Sequence, residues 1–399
     1  MNKNNHFHLL GAVIATGILS FSGVLIETAM NVTFPTLINE FGLSTSKIQW
    51  VTTIYLLVIA ITIPLSSYFN ERFSARKLFL VANLIFLVGV LTNCFSPNFA
   101  MLLFGRLLQG VGTGIGLPLV VISLVLGLAC LPREGAKTPK KLALRPVIAL
   151  SIMFFAFISA LSAEHLMTFA LLFIVGLVGA FLFVRFNRKE SLIDLGILKN
   201  HRFVALIFSL LVYQALLLGL SFVLPSFIQV SAGFSSSVAG LFMFPGALIG
   251  AVLAPISGKV LDQIGARKPI TTGLILAALG LALLFVFLPT KSLALLLVAH
   301  IVLMLGLGIS YSNLMTCSLS TLATDQLSDG NALVNTLQQF IGAVATAVVA
   351  TTLSIFQGLN GFKVGTSHGT SIILALFFIL IIVSLIVSFP NLKKIRANH

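Results

Sequence analysis

Charged residues are scarce in this 399-residue chain. Lys, Arg, Asp and Glu make up 9% of the residues, 58% are hydrophobic, and the mean hydropathy is +1.10. A soluble globular domain carries about 25% charged residues. This composition therefore excludes a soluble enzyme and is typical of an integral membrane protein. Since a spanning helix takes about 20 apolar residues, the length suffices for roughly a dozen spans.

Cysteine is scarce as well. Cys94, Cys130 and Cys317 lie in or beside apolar stretches and have no paired spacing, so the sequence indicates neither a disulfide framework nor a metal site. No GxxxxGK[ST] motif occurs, which disfavours an ATP-driven pump, and we expect no cofactor.

Acidic residues are outnumbered by basic ones, 10 to 24. The bases lie in short gaps between apolar runs, whereas a nucleic-acid-binding protein gathers them on one solvated face. We therefore expect the partners to be the lipid bilayer and a small molecule, and not nucleic acid.

The apolar runs predict an all-α, polytopic membrane protein with about twelve spanning helices. The first run, Leu9 to Ile26, continues into Glu27 and Asn31 without a small-residue cleavage site, so we interpret it as a retained span. The predicted spans lie near residues 9–30, 48–68, 78–96, 100–127, 147–163, 167–185, 203–229, 237–258, 269–289, 292–316, 331–356 and 370–389.

The basic residues predict the orientation in the membrane. With the N-terminus inside, every Lys and Arg falls on that side except Lys47, Lys291, Lys363 and the intramembrane Arg106. Cytoplasmic loops carry such an excess of Lys and Arg. We expect a multi-pass protein of the cell membrane with both termini cytoplasmic.

An internal repeat follows the second span of each half. Ser67 to Lys77 reads SYFNERFSARK, and Gly258 to Lys268 reads GKVLDQIGARK. The repeat predicts two parallel halves with a substrate cavity between them near the midplane; two ordinary basic turns are the alternative. The acids in these turns can pair with the adjacent bases and latch a cytoplasmic gate, which makes gating candidates of Glu71, Arg76, Asp262, Gly265 and Arg267. A simple role in topology is the alternative.

Two charged residues lie inside predicted spans, Glu27 and Arg106. A charge in the hydrocarbon costs about 2.5–3.5 kcal/mol on insertion scales, so such residues are the first functional candidates. Glu27 shares one helix face with Asn31 and Pro35. A carboxyl in apolar surroundings suits the loading and release of protons; a shallow, solvated Glu27 is the alternative.

Arg106 opens the stretch RLLQGVGTGIGLP, in which small residues alternate with polar ones. The glycines let a neighbouring helix approach closely, and the guanidinium needs an acid, a carbonyl or water opposite it. An Arg that extends to the interface is the alternative. The predicted substrate-cavity residues are polar residues within spans: Asn31, Gln109, Gln214 and Asn335. For Gln214 and Asn335, hydrogen bonding between packed helices is the favoured alternative.

These motifs resemble those of the major facilitator superfamily, and within it the fourteen-span EmrB/QacA-type drug:proton antiporters. The first-span pattern acid-x-Thr-x-x-Asn-Val-x-x-Pro is matched by Glu27, Thr28, Asn31, Val32 and Pro35. The fourth-span pattern Arg-x-x-Gln-Gly-x-Gly-x-Gly is matched by Arg106, Gln109, Gly110, Gly112 and Gly114. The loop pattern Gly-x-x-x-Asp-x-x-Gly-x-Arg is met by Gly258, Asp262, Gly265 and Arg267, whereas the first copy has Ser67, Glu71 and Ser74.

One motif of these antiporters is missing from the chain: their fifth span ends in Gly-Pro-x-x-Gly-Gly. Compared with them, this chain is interpreted as lacking most of spans five and six. Residues 1–131 then form an incomplete four-span bundle, 132–202 a central two-span hairpin with basic cytoplasmic loops, and 203–399 a six-helix bundle. A twelve-span member that never had the central pair is the competing alignment.

The resemblance implies a transporter, not an enzyme, with a major-facilitator-like two-bundle fold. It implies export of hydrophobic, cationic compounds by alternating access. In this mechanism Glu27 exchanges a proton for the transported compound, and Arg106 tunes the pKa of Glu27. Two alternatives stay open: a truncated, transport-incompetent membrane protein, and a facilitator for a small nutrient.

Overall fold

The computed structural model describes residues 30–73, 75–115, 143–163, 165–190 and 192–392. All regular secondary structure in these ranges is helical, which confirms the all-α expectation. The long helices are α1 (residues 30–41), α2 (Trp50–Arg72), α3 (Ala75–Cys94), α4 (Phe99–Ile115), α5 (Leu144–Leu161), α6 (Leu166–Asn187), α7 (His201–Ser226), α8 (Ser236–Ile264), α9 (Arg267–Phe287), α10 (Leu293–Leu319), α11 (Leu327–Asn360) and α12 (Phe362–Asn391). A one-turn helix, Thr45–Ile48, precedes α2.

Within the described ranges, eight helices are long and apolar enough to cross a membrane: α2 with its preceding turn, α5, α6, α7, α9, α10, α11 and α12. Shorter apolar stretches lie in α3 (Leu80–Cys94) and α8 (Ser236–Gly250). In hydrocarbon a helix satisfies all its backbone hydrogen bonds internally, which is why apolar runs of this length become helices. The chain is therefore a multi-pass membrane protein.

The surface of helix α6 is typical of a helix surrounded by lipid. Its apolar side chains are exposed around most of its surface, including Leu166 (83%) and Met167 (84%). Only a few of its residues are buried, among them Gly176 and Gly179, which face α5. A helix that is apolar on all sides and little buried by protein fits the bilayer interior and not water.

The contacts divide the chain into two compact units. The described part of the first unit comprises residues 49–193 and 335–343. In it α4 packs on α2 and α3, and α5 and α6 form a hairpin. The ring of Phe154 stacks on Phe340 of α11 with centroids 4.1 Å apart, and Gln49 donates from Nε2 to Ser162 Oγ over 2.8 Å.

The described part of the second unit comprises residues 30–48, 194–334 and 344–392. Its closest helix pair is α9 with α10, where glycines let the backbones touch: a Cβ at Gly306 would lie 2.5 Å from Gly273 O. Helix α7 packs on α12 through Ser209 and Ser388, whose hydroxyls are 2.5 Å apart. Asn200 caps α7, since its side chain accepts from two backbone N–H groups of the first turn.

The two units do not follow the order of the chain. Residues 30–48 belong to the second unit, although they precede α2, and residues 335–343 of α11 belong to the first. The described helices of the expected central hairpin, α5 and α6, lie in the first unit. Packing, and not proximity along the sequence, decides which segments make up each unit.

Candidate functional site

Among the described residues, Arg106 is one of the largest side chains that are almost wholly buried, since it is only 1% exposed. Its Nη1 donates to Gln109 Oε1 over 2.9 Å, one turn further along α4. The guanidinium also lies over the ring of Tyr55 on α2, with Cζ 5.5 Å from the ring centroid. Both contacts suit a buried cation, because the amide oxygen and the aromatic face are electron-rich.

Glycines on α4 bring these partners within reach. A Cβ at Gly110 would lie 2.9 Å from Tyr55 O on α2, and a Cβ at Gly112 would lie 2.7 Å from Ala82 O on α3. Real Cβ atoms do not approach a backbone oxygen so closely, so larger residues would push α4 away from both helices. The glycine pattern therefore places Arg106 beside Tyr55.

Hydrogen bonds connect the rest of this group, which we name the Arg106 cluster: Tyr55, Arg106, Gln109 and Thr113. The hydroxyls of Tyr55 and Thr113 are 3.2 Å apart, and Thr113 Oγ1 donates to Gln109 O over 2.9 Å. The cluster thus joins α2 and α4 in the first unit and fixes both the cation and the amide that the sequence singles out.

A second polar group lies in the second unit, where α1 meets α7. Asn31 donates from Nδ2 to Ser221 Oγ over 2.8 Å, and Asn31 is 0% exposed. Gln229 donates from Nε2 to Val32 O over 2.9 Å. Gln229 lies in a single π-helical turn, Phe227–Ser231, that extends α7. Such turns are frequent at functional sites.

A third polar group joins α7 to α10. Tyr311 donates to Gln214 Oε1 over 2.6 Å, and Ser310 donates to the hydroxyl of Tyr213 over 2.8 Å. Tyr213 and Ser310 are fully buried, and Gln214 is 8% exposed. The structure therefore joins the predicted cavity residue Gln214 on α7 to Tyr311 on α10 within the second unit.

The other predicted residues are placed as follows. Asn335 is half-buried on α11, in the first unit. Asp262 is exposed and makes no hydrogen bond or ion pair within the described ranges. Arg267 lies over the ring of Phe389, with Cζ 4.3 Å from the centroid.

The structure does not describe three of the predicted side chains. The helical backbone at Glu71 and Arg76 is described but their side chains are not, and Glu27 lies outside the described residues.

The backbone conformation at Gly265 explains why the loop motif has a glycine at this position. Gly265 follows α8 with φ +77° and ψ 170°, a conformation open essentially to glycine alone. The glycine of the motif is therefore required by the sharp turn into α9.

Tyr55, Ser221 and Tyr311 were not predicted from the sequence. The chain has only four tyrosines, and this rarity within apolar runs is a signal that could have pointed to Tyr55 and Tyr311. Ser221 stands among apolar residues with no comparable signal.

A cleft of about 450 Å³ opens in the second unit beside α1 and the start of α12. Its lining mixes polar, aromatic and cationic side chains, including Thr36, Asn39, Gln229, Phe234 and Lys363. It is continuous with the contact between α1 and α7, because Gln229 takes part in both.

The sequence profile of the Major Facilitator Superfamily matches residues 16–347, which include the Arg106 cluster and most of the polar groups described above. The chain belongs to this superfamily. It is therefore a transporter and not an enzyme, and members of the superfamily act on small molecules within the membrane. The family and the helical fold together confirm the major-facilitator part of the prediction.

Individual relatives carry transporter names. The lincomycin resistance protein LmrB of Listeria monocytogenes is 28% identical over 408 residues, covering 86% of this chain and 87% of LmrB. The riboflavin transporter RibZ of Clostridioides difficile is 24% identical over 422 residues, covering 91% of each chain.

Among solved structures, a bacterial homologue of the human lysosomal transporter Spinster matches this superfamily member with a TM-score of 0.64 at 13% sequence identity. The match covers 99% of this chain and 98% of that protein. At this level of identity the likeness concerns the fold alone.

Proposed function

We propose that this transporter exports hydrophobic, cationic compounds in exchange for protons, as a member of the EmrB/QacA-type branch. The motif residues of the first and fourth spans support the branch, and a relative named for lincomycin resistance supports drug export. The buried guanidinium of Arg106 is the observation that carries the proposal. A permanent charge inside a span is expensive, and it is retained where transport chemistry needs it.

Glu27 is the proposed exchange site. When it is ionised it attracts a cationic compound, and when it is protonated it is neutral and releases that compound. The proton and the cargo therefore compete for one carboxyl, and the two loaded forms favour different conformations of the transporter. Arg106, held by Gln109 and Tyr55, adds a fixed positive potential that favours the ionised carboxylate and opposes a second cation.

The length of the LmrB alignment supports a deletion in this chain, and the missing Gly-Pro-x-x-Gly-Gly motif is the reason to place the deletion in spans five and six. The alignment extends over 408 residues yet involves 86% of this 399-residue chain, so LmrB has residues with no counterpart here. Loss of a pair of spans preserves the alternation of inside and outside loops. On this proposal, residues 1–131 are the shortened first bundle, 132–202 the central hairpin and 203–399 the complete second bundle.

The decisive experiment measures ethidium export by the purified full chain in proteoliposomes, with and without an imposed pH gradient. We expect Glu27→Gln to abolish gradient-driven export while membrane insertion stays intact. Glu40→Gln is the matched control, because Glu40 is an exposed acid on α1. Parent-like export by Glu27→Gln contradicts the role of Glu27, and identical export with and without the gradient contradicts proton coupling.

Membrane orientation is tested with tags at the two ends of the chain. We propose that both termini are cytoplasmic in the cell membrane, because the basic residues collect on their side. Both tags should be cleaved by protease in inverted vesicles and protected in right-side-out vesicles. Cleavage of either tag in right-side-out vesicles contradicts the orientation.

Transport of a vitamin-like nutrient is the second candidate, favoured by the relative named as a riboflavin transporter. The same proteoliposomes distinguish the two candidates when riboflavin replaces ethidium. Saturable riboflavin flux that needs no pH gradient, in proteoliposomes that export no ethidium, supports this candidate and contradicts drug:proton exchange. A chain that inserts and transports neither compound supports a transport-incompetent remnant.

A further inference from the structure

His300 lies in the first third of α10, and its side chain is 0% exposed. Across the ranges that the structure describes, neither ring nitrogen meets a hydrogen-bond partner. A buried polar group without a partner costs free energy, and native proteins keep few of them. An imidazole at this position therefore needs an explanation that a leucine would not.

The surroundings of His300 are apolar and come chiefly from α8. The imidazole stacks on the ring of Phe242, with centroids 5.3 Å apart and planes 29° apart. Its Nε2 points towards Gly246, where a Cβ would lie 2.6 Å from that nitrogen and 2.9 Å from Met304 Cγ. The absent side chain of Gly246 thus leaves the room that the imidazole fills.

No charged group of the packed helices is near this level. Helices α7, α8 and α9 pack against α10. Their ionisable side chains lie in the first half of α7, in the last turns of α8 and at the start of α9: His201, Arg202, Tyr213, Lys259, Asp262, Arg267 and Lys268. Tyr213 meets Ser310, nearly three turns along α10 from His300. In the closed packing, and among the residues that the structure describes, His300 therefore has neither a charge partner nor an acceptor for its N–H group.

We propose that His300 is a proton-binding site of the second unit, used in a conformation in which α8 and α10 separate around it. Separation admits water to both nitrogens, and histidine is the side chain whose ordinary titration range lies closest to neutral pH. The charged ring prefers the opened arrangement and the uncharged ring tolerates the closed one, so proton binding and the α8–α10 contact are linked. This site is separate from Glu27, and only its coupling to export rests on the proposed function.

Chemical labelling tests whether the site opens. The parent protein in proteoliposomes is treated with diethylpyrocarbonate, which modifies uncharged, accessible imidazoles, and the modified histidines are mapped by mass spectrometry. His368, exposed on α12, is the internal control. We expect His300 to react at least about tenfold more slowly than His368 at rest, and to gain at least about tenfold when ethidium and a pH gradient drive turnover.

The pH dependence identifies the site as one for protons. Labelling of His300 during turnover should fall as the pH is lowered, because the protonated ring does not react. If His300 stays unreactive during turnover while His368 is modified, the proposal is overturned. If ethidium is not transported, the proposed function fails, and prolonged labelling still reports on α8 and α10. Lasting protection of His300 in that experiment overturns the site on its own.

Variants test the contribution of His300 to export. His300→Phe keeps a ring against Phe242 but binds no proton, and we expect gradient-driven ethidium export to fall by at least about tenfold with ethidium binding retained. His368→Phe should export at the parent rate. Parent-like export by His300→Phe overturns the proposal. A general packing defect is recognised because it lowers ethidium binding and thermal stability together, and the labelling of the parent protein then decides.

Discussion

Asn31 donates a hydrogen bond to Ser221 over 2.8 Å, although the two residues are 190 positions apart in the chain. The sequence marks Asn31 as a cavity residue, whereas the structure shows its amide bonded to α7 within the second unit. Val32, the next residue, accepts from Gln229, and Phe34 meets Phe222 edge-on at 5.0 Å. The motif of the first span therefore also holds α1 against α7.

The Asn31–Ser221 contact predicts a measurable coupling. Asn31→Ala and Ser221→Ala should each lower thermal stability in detergent, and the double variant should lose less than the sum. Hydrogen bonds inside membrane proteins couple by about 0.6 kcal/mol on average, so we expect a coupling energy of this size. Thr33→Ala is the control, because Thr33 is exposed on the same helix and bonds locally to Met30 O. Fully additive losses contradict the contact.

Arg106→Lys separates the geometry of the guanidinium from its charge. Lysine keeps the positive charge but loses the planar group that bonds Gln109 and covers Tyr55. A hydrogen bond to a charged group contributes about 1.5–3 kcal/mol. Loss of this amount from the transport transition state slows ethidium export by about tenfold or more. Arg145→Lys is the control, since the side chain of Arg145 is 71% exposed, and equal export by both variants contradicts the prediction.

Gly112→Ala tests the close contact of α4 with α3. The new Cβ would lie 2.7 Å from Ala82 O and 2.9 Å from Phe86 Cβ, so the helices must separate. Overpacking of this kind costs about 1–3 kcal/mol, which lowers the thermal midpoint of the purified protein. Gly250→Ala in α8 is the matched control, because its Cβ meets nothing within 4 Å. An unchanged midpoint for Gly112→Ala means that α3 and α4 do not pack as described.

Arg267→Gln distinguishes two roles for the turn before α9. The guanidinium lies 4.3 Å from the centre of the Phe389 ring, and such exposed contacts contribute about 0.5–1 kcal/mol. We therefore expect Arg267→Gln and Phe389→Leu to lower the thermal midpoint without additivity, while the adjacent Lys268→Gln leaves it unchanged. If Asp262 and Arg267 instead form an ion pair that holds the turn, Asp262→Asn should reproduce the effect of Arg267→Gln on the thermal midpoint.

Some residues of the candidate site can be predicted from the sequence and others cannot. Arg106 and Gln109 stand out in the sequence because charge and amide are rare within spans, and the structure joins them because they are one helical turn apart. The loop motif marks Gly265, and its positive φ explains why a glycine stands there. Tyr55 was not predicted, because it lies on another helix and hydropathy does not report which faces of two apolar helices meet.

The sequence by itself determined the membrane class of the protein and its helices, because an apolar run of spanning length satisfies its backbone groups in hydrocarbon by forming a helix. The sequence also determined the superfamily, through its motifs. Only the tertiary structure decided the partners: Asn31 with Ser221, Arg106 with Tyr55 and His300 with Phe242. In a membrane, lipid-facing and protein-facing side chains are equally apolar, so hydropathy does not separate them. Close packing through glycines and a few hydrogen bonds selects which helices touch.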